Sequence, residues 1–200
     1  MKETDAQDEL AFIKKIMQDS RRVIAFDGKE FIVWGILVTI GMAVMYVNIA
    51  FKYYIHFTII WGILIGIGWI YSIFRWLIHY RKKTPKTFAA KVLSSVWISF
   101  GVTMTLIGFA LPPLNVIAGW AIMPLVALGS GMAYFITSVV ITEKWVRYSA
   151  YGWWVGGLVI AAFPGLHMFL LFAGMMICFQ ITPGIILQKQ YKKELEQSNA

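Results

Sequence analysis

Charge is scarce in this chain. Asp, Glu, Lys and Arg make up 14% of its 200 residues, hydrophobic residues 59%, and mean hydropathy is +0.68. Soluble domains carry about one quarter charged residues, so composition alone argues against a water-soluble fold. Cysteine is scarcer still. Cys178 stands alone, which excludes an intramolecular disulfide. The chain has no HExxH, no GxSxG and no Walker loop, the signatures of zinc hydrolases, nucleophile elbows and phosphate-binding loops. No Asp, Glu, Lys or Arg falls in the central part of an apolar stretch, where proton relays and coupled transporters keep theirs. Short segments of alternating polarity are missing too, which excludes a transmembrane barrel.

What the chain does have is a succession of long apolar runs. A bilayer core of roughly 30 Å takes about 20 apolar residues in a helix. Six stretches meet that length, at about 31–50, 56–78, 88–111, 116–141, 145–163 and 166–190. The fold class is all-α: a polytopic membrane protein of six transmembrane helices arranged as three consecutive hairpins. Proline marks several ends. Pro112-Pro113 closes the third span and Pro164-Gly165 the fifth, because proline cannot continue the hydrogen-bond ladder. Pro124 is expected to bend the fourth span near its start, and Pro183-Gly184 to kink or loosen the sixth.

A polar segment, residues 1–30, precedes the first span, and a polar tail, residues 191–200, follows the last. No cleavable signal is expected, since the first apolar run begins only after this segment. Thr4 and Gln7 fit a capping box. Beyond it Leu10, Phe12, Ile13, Ile16, Met17, Val23 and Ile24 fall on one side of a helical wheel, with Lys14, Lys15, Gln18, Arg21 and Arg22 on the other. Asp27-Gly28 supplies a stop. Such a helix suits an anionic lipid surface, or equally the protein's own cytoplasmic ends or a second subunit.

Of the 18 Lys and Arg, all but Lys52 lie on one side of the spans, as do all 10 Asp and Glu. Cations mark the cytoplasmic face. Both termini are therefore expected in the cytoplasm, with the protein integral to the plasma or inner membrane. The densest cationic run, Arg75–Lys91, holds Arg75, Arg81, Lys82, Lys83, Lys86 and Lys91. These set topology and contact lipid headgroups, at about 1 kcal/mol per basic residue near an anionic surface. The net charge of +8 does not imply nucleic acid as a partner, because the cations are dispersed in clusters bordering apolar spans. The partners expected are membrane lipid, including anionic headgroups, and a second copy or another membrane protein.

A faint repeat accompanies this plan. Val33-Trp34 recurs as Val96-Trp97, and Gly66-Ile67-Gly68 as Gly129-Ser130-Gly131, both 63 positions on, with a shorter third unit starting near Trp153-Trp154. Hairpins repeated in one orientation are related by an axis along the membrane normal.

Candidate site residues are few. Gly62 and Gly66, and again Gly152 and Gly156, form GxxxG patterns, which let helix backbones approach closely where lipid offers no hydrophobic drive. Two hydroxyl stripes recur at spacing four, Ser95, Ser99 and Thr103 on span three and Ser130, Tyr134 and Ser138 on span four. Each stripe occupies one helix face and supports either a polar path or interhelical and local hydrogen bonding. Gln180 lies deep in span six, where an unpaired amide is costly, so it is expected to meet a partner, one of these stripes being the candidate. His56 and His167 sit at the outer ends of spans two and six, but two imidazoles make a poor metal site. No metal and no cofactor is expected.

These features point first to a non-enzymatic accessory, sensing or assembly subunit. The alternative is a small transporter or channel for a neutral or weakly polar solute. An intramembrane enzyme comes third, since the acid and base groups it needs are missing. The orientation is directly testable. A reporter that is active only in the cytoplasm, fused after Ala200, is expected to be active; activity only of a reporter that requires export would overturn the topology.

Overall fold

The computed structural model describes residues 27–81 and 88–198, and every regular element among them is helical. Helix α1 is Lys29–Ala50, α2 Phe57–Arg81 and α3 Phe88–Phe109. Helix α4, Ile122–Val140, is preceded by a 3₁₀ turn at Gly119–Ala121. Helix α5 is Lys144–Ala162. The last rod consists of α6, His167–Met176, a π-helical turn at Ile177–Ile181, and α7, Thr182–Ser198. Five of these units are long and apolar enough to cross a membrane: α1, α2, α3, α4 with its 3₁₀ turn, and the last rod. Helix α5 has 19 residues, as many as α4, but opens with Lys144 and Arg147. This is a helical membrane protein. The amphipathic segment up to Ile24, the cations Lys82, Lys83 and Lys86, and the side chain of Arg81 lie outside the described residues.

Helices α1 and α2, α3 and α4, and α4 and α5 pack against one another. Gly41 of α1 faces the Trp61 and Leu64 side chains of α2, and Trp34 lies over Gly68. Gly129 of α4 faces Phe100 and Met104 of α3. Gly157 of α5 rests on Ala127 of α4, while Gly152 and Gly156 receive the Phe179 ring and the Met175 side chain of the last rod. The two ends of the chain also meet. Gly28 and Gly184 bring their backbones together, and Gly35 abuts Ile181. A side chain at Gly28 would collide with the Gly184 carbonyl, so this crossing depends on both residues being glycine.

Burial is uneven. Half of the span in α4 and 39% of that in the last rod are buried, against 17% in α2 and 6% in α3. The core is therefore built from α1, α4, α5 and the last rod, around Phe31, Tyr134, Trp153 and Phe172. Helices α2 and α3 lean on that core and leave wide apolar faces uncovered by the other described residues.

Proline acts differently from expectation at Pro124, whereas beside Pro183 the last rod loosens as expected. Pro124 is the third residue of α4; in a first turn its missing N–H deprives no carbonyl of a partner, so it starts the helix instead of bending it. Pro183 falls just after the π turn. It cannot donate to the carbonyl four residues earlier, that of Phe179. The indole Nε1 of Trp153 donates to that oxygen instead, at 3.3 Å. The Thr182 hydroxyl likewise donates to the Ile177 carbonyl at 2.9 Å. A wider turn plus two side-chain donors keeps the rod intact through the proline. The rod then continues as helix to Ser198, so the expected polar tail from residue 191 is largely helical.

The short connection between α1 and α2 is held by Asn48. Its side-chain amide donates to the Ile55 carbonyl and its oxygen accepts the Ile55 amide, both at 2.9 Å. This clasp fixes a loop in which Lys52 and Tyr54 take left-handed backbone angles, a conformation that most side chains disfavour.

Candidate functional site

The polar centre of the bundle is the meeting of Tyr134 and Gln180. Tyr134 is fully buried on α4 and Gln180 is 8% exposed in the π turn. The phenol hydroxyl donates to Gln180 Oε1 at 2.7 Å. Two further aromatic rings, from two other helices, pack against Tyr134. Phe31 of α1 meets Trp97 of α3 edge-on at 4.6 Å, and Tyr134 lies 5.5 Å from Phe31 and 5.2 Å from Trp97. The Trp97 indole donates to Thr137 Oγ1 at 3.1 Å, one turn from Tyr134. Gly35 lets α1 approach the Gln180 side chain. Four transmembrane units thus converge on one hydrogen-bonded, aromatic-walled centre. Edge-to-face ring pairs add about 0.5–1.5 kcal/mol each beyond burial.

Chemically, this centre joins helices. A neutral amide accepts a hydrogen bond without taking up a proton, and a phenol ordinarily titrates near pH 10. The other hydroxyls of the α4 stripe bond to their own helix: Ser130 donates to the Val126 carbonyl at 2.8 Å and Ser138 to that of Phe135 at 2.7 Å. Arg147 Nε reaches Ser138 Oγ at 3.4 Å and its guanidinium lies over the Phe135 ring.

The α3 stripe points elsewhere. Ser95, Ser99 and Thr103 border a groove of about 330 Å³ whose opposite wall is Met132, Ala133 and Ile136 of α4. The two stripes therefore do not face each other across one path. Ser95 donates to the Lys91 carbonyl at 3.0 Å. Lys91 itself is exposed.

Arg75 has carboxylate partners within the chain. Its Nη2 lies 2.8 Å and 2.7 Å from the two oxygens of Asp27, its Nη1 3.8 Å from Glu30. Side-chain exposure is only 15% for Arg75 and 13% for Asp27. Glu30 in turn accepts the Ser72 hydroxyl at 2.8 Å, and Ser72 accepts the Trp34 indole at 3.0 Å. This chain of bonds ties the start of α1 to the end of α2. Separation along the chain conceals this partly buried network from the sequence.

The two glycine motifs have opposite surroundings. Gly152 and Gly156 are filled by Phe179 and Met175, whereas a side chain at Gly62 or Gly66 would meet nothing within 4 Å. His56 accepts the Thr58 amide and His167 meets the Phe163 carbonyl. Among the described residues no group of three His, Cys, Asp or Glu could hold a metal. Residues not singled out from sequence include Asn48 and Thr137. The signal for Thr137 was its position three residues from Tyr134, on the same helix face.

Comparison with known proteins yields no match to a family model, a curated protein or a solved structure.

The Tyr134–Gln180 bond predicts a coupling. Tyr134→Phe is expected to destabilise the bundle by about 1–2 kcal/mol in detergent unfolding, because it leaves the buried amide oxygen without its donor. Gln180→Leu in the Tyr134→Phe background should cost less than Gln180→Leu alone. Strictly additive effects would show that the two side chains do not share a bond.

Proposed function

We propose that this chain is a non-enzymatic, multi-pass subunit of the cytoplasmic membrane that works by association, as an accessory, sensing or assembly component. The observation that carries this reading is the uncovered face of α2. Gly62 and Gly66 stand open there, beside exposed Ile59, Ile63 and Ile70. In lipid, close approach over glycine is a main source of helix–helix affinity, and a second membrane protein or another copy would supply the missing surface.

Both termini and the Arg75–Lys91 connector lie in the cytoplasm in this reading, supported by the one-sided distribution of Lys and Arg. The amphipathic N-terminal segment then lies at the same surface, where lipid or a partner's cytoplasmic domain engages it. The three-hairpin plan is supported by a recurrent bond. Trp34 donates to Ser72 and Trp97 to Thr137, so each of the first two hairpins carries a tryptophan that donates from its first helix to a hydroxyl on its second. Trp153 donates to the Phe179 carbonyl in the third. The alternative, passage of a neutral solute, draws support from the hydroxyl-lined groove beside α3.

The test is recovery of partners after mild detergent extraction. Gly62→Ile with Gly66→Ile is expected to lose the partner, or the second copy, while the isolated protein unfolds at an unchanged temperature. Retention of every partner by that variant, and by a variant lacking residues 1–26, would contradict the proposal.

A further inference from the structure

The groove between α3 and α4 carries a second kind of recognition. Lys91, Ser95, Ser99 and Thr103 are each four residues apart and so form one line down α3. Ser95, Ser99, Thr103, Met104, Met132 and Ile136 line the groove. Its hydroxyl-lined wall covers about 12 Å of helix from Ser95 to Thr103, at 1.5 Å per residue. Apart from that edge the walls are apolar. Ser99 and Thr103 are exposed and, unlike Ser95, Thr105, Ser130 and Thr137, do not bond to their own helix carbonyls. Lys91, at the head of the line, is exposed and makes no ion pair among the described residues.

We infer that this groove is a binding site for one anionic phospholipid of the cytoplasmic leaflet, its phosphate on Lys91, its ester region at the hydroxyl edge and an acyl chain in the apolar trough lined by Met104, Met132 and Ile136. A cationic head, a polar shoulder and an apolar trough match the order of charge, ester and hydrocarbon in such a lipid. Two copies of the chain packed face to face on α3 in one membrane would set Lys91 against Lys91, and like charges oppose that arrangement. The inference rests on the reading that α3 spans the bilayer with Lys91 at headgroup level. It does not rest on a protein partner, so loss or retention of partners in the preceding test leaves it untouched.

The experiment is native mass spectrometry of the full chain in neutral detergent, titrated with phosphatidylglycerol or with phosphatidylcholine of the same acyl chains. The wild type is expected to bind phosphatidylglycerol about fivefold more tightly, the weight of one basic residue at an anionic surface. Lys91→Gln should abolish that preference. Ser99→Phe, which plugs an exposed groove and leaves the core alone, should weaken both lipids. Lys52→Gln, at the other end of the helices, should change neither, and circular dichroism should report unaltered helix content throughout. Equal affinities in the wild type, a preference that survives Lys91→Gln, or binding indifferent to Ser99→Phe would each overturn the site. So would a dimer that Ser99→Phe abolishes and that ignores headgroup charge, since a second copy would then occupy the groove.

Discussion

A carbonyl without a donor is costly inside hydrocarbon, and Pro183 creates one at Phe179. Much of the bundle's arrangement follows from how that oxygen and its neighbours are satisfied. Trp153 crosses from α5 to reach it, which fixes α5 against the last rod at the level of the π turn. The widened turn puts Gln180 in the interior, where Tyr134 of α4 meets it. Phe31 and Trp97 then close around Tyr134 and bring α1 and α3 to the same point. One helix-breaking residue is thus accommodated by ordering its surroundings, as expected where each unsatisfied backbone group costs several kcal/mol.

Outside that centre the same economy of donors and acceptors recurs with less burial. The Trp34–Ser72–Glu30–Arg75–Asp27 series fastens α2 to α1 at the end where the cations gather. Trp69 donates to Thr105 at 3.1 Å and fastens α3 to α2. These bonds add to the side-chain packing of α2 on α1 and of α3 on α4, and the low burial of α2 and α3 reflects their place at the edge of the bundle. A more buried core of four units with two peripheral helices leaves the outer faces of those two open to lipid or protein. That division motivates both the open glycine face of α2 as an association surface and the groove beside α3 as a lipid site.

Much of this was legible from residue order. The six apolar stretches match the helices within a few residues at most ends, because burial in hydrocarbon requires length and apolarity and nothing subtler. Gln180 was marked as needing a partner by its depth alone, and the partner came from the stripe containing Tyr134. Other features were hidden because they depend on what lies opposite. The two GxxxG motifs are identical as text, yet Gly152 faces an aromatic ring and Gly62 faces open space. The hydroxyl stripes of α3 and α4 look equivalent until helix rotation turns one inward and the other toward the groove. Proline was recognised as an interruption, but whether it starts a helix, as at Pro124, or demands a π turn, as at Pro183, depends on its distance from the helix start. The last rod's helical extension to Ser198 was missed because its residues are polar, and hydropathy reports a membrane span, not a helix.

The central claim is that the first and last transmembrane units are neighbours, so that the bundle closes around Tyr134 and Gln180. Cysteines at Gly35 and Ile181, in a Cys178→Ser background, test it most directly. Gly35 directly abuts the Ile181 side chain, within the reach of a disulfide. The account predicts rapid intramolecular cross-linking in membranes under mild oxidation, and none for a pair at Gly62 and Ile181. Failure of the Gly35–Ile181 pair to cross-link, or equal cross-linking of both pairs, would contradict it.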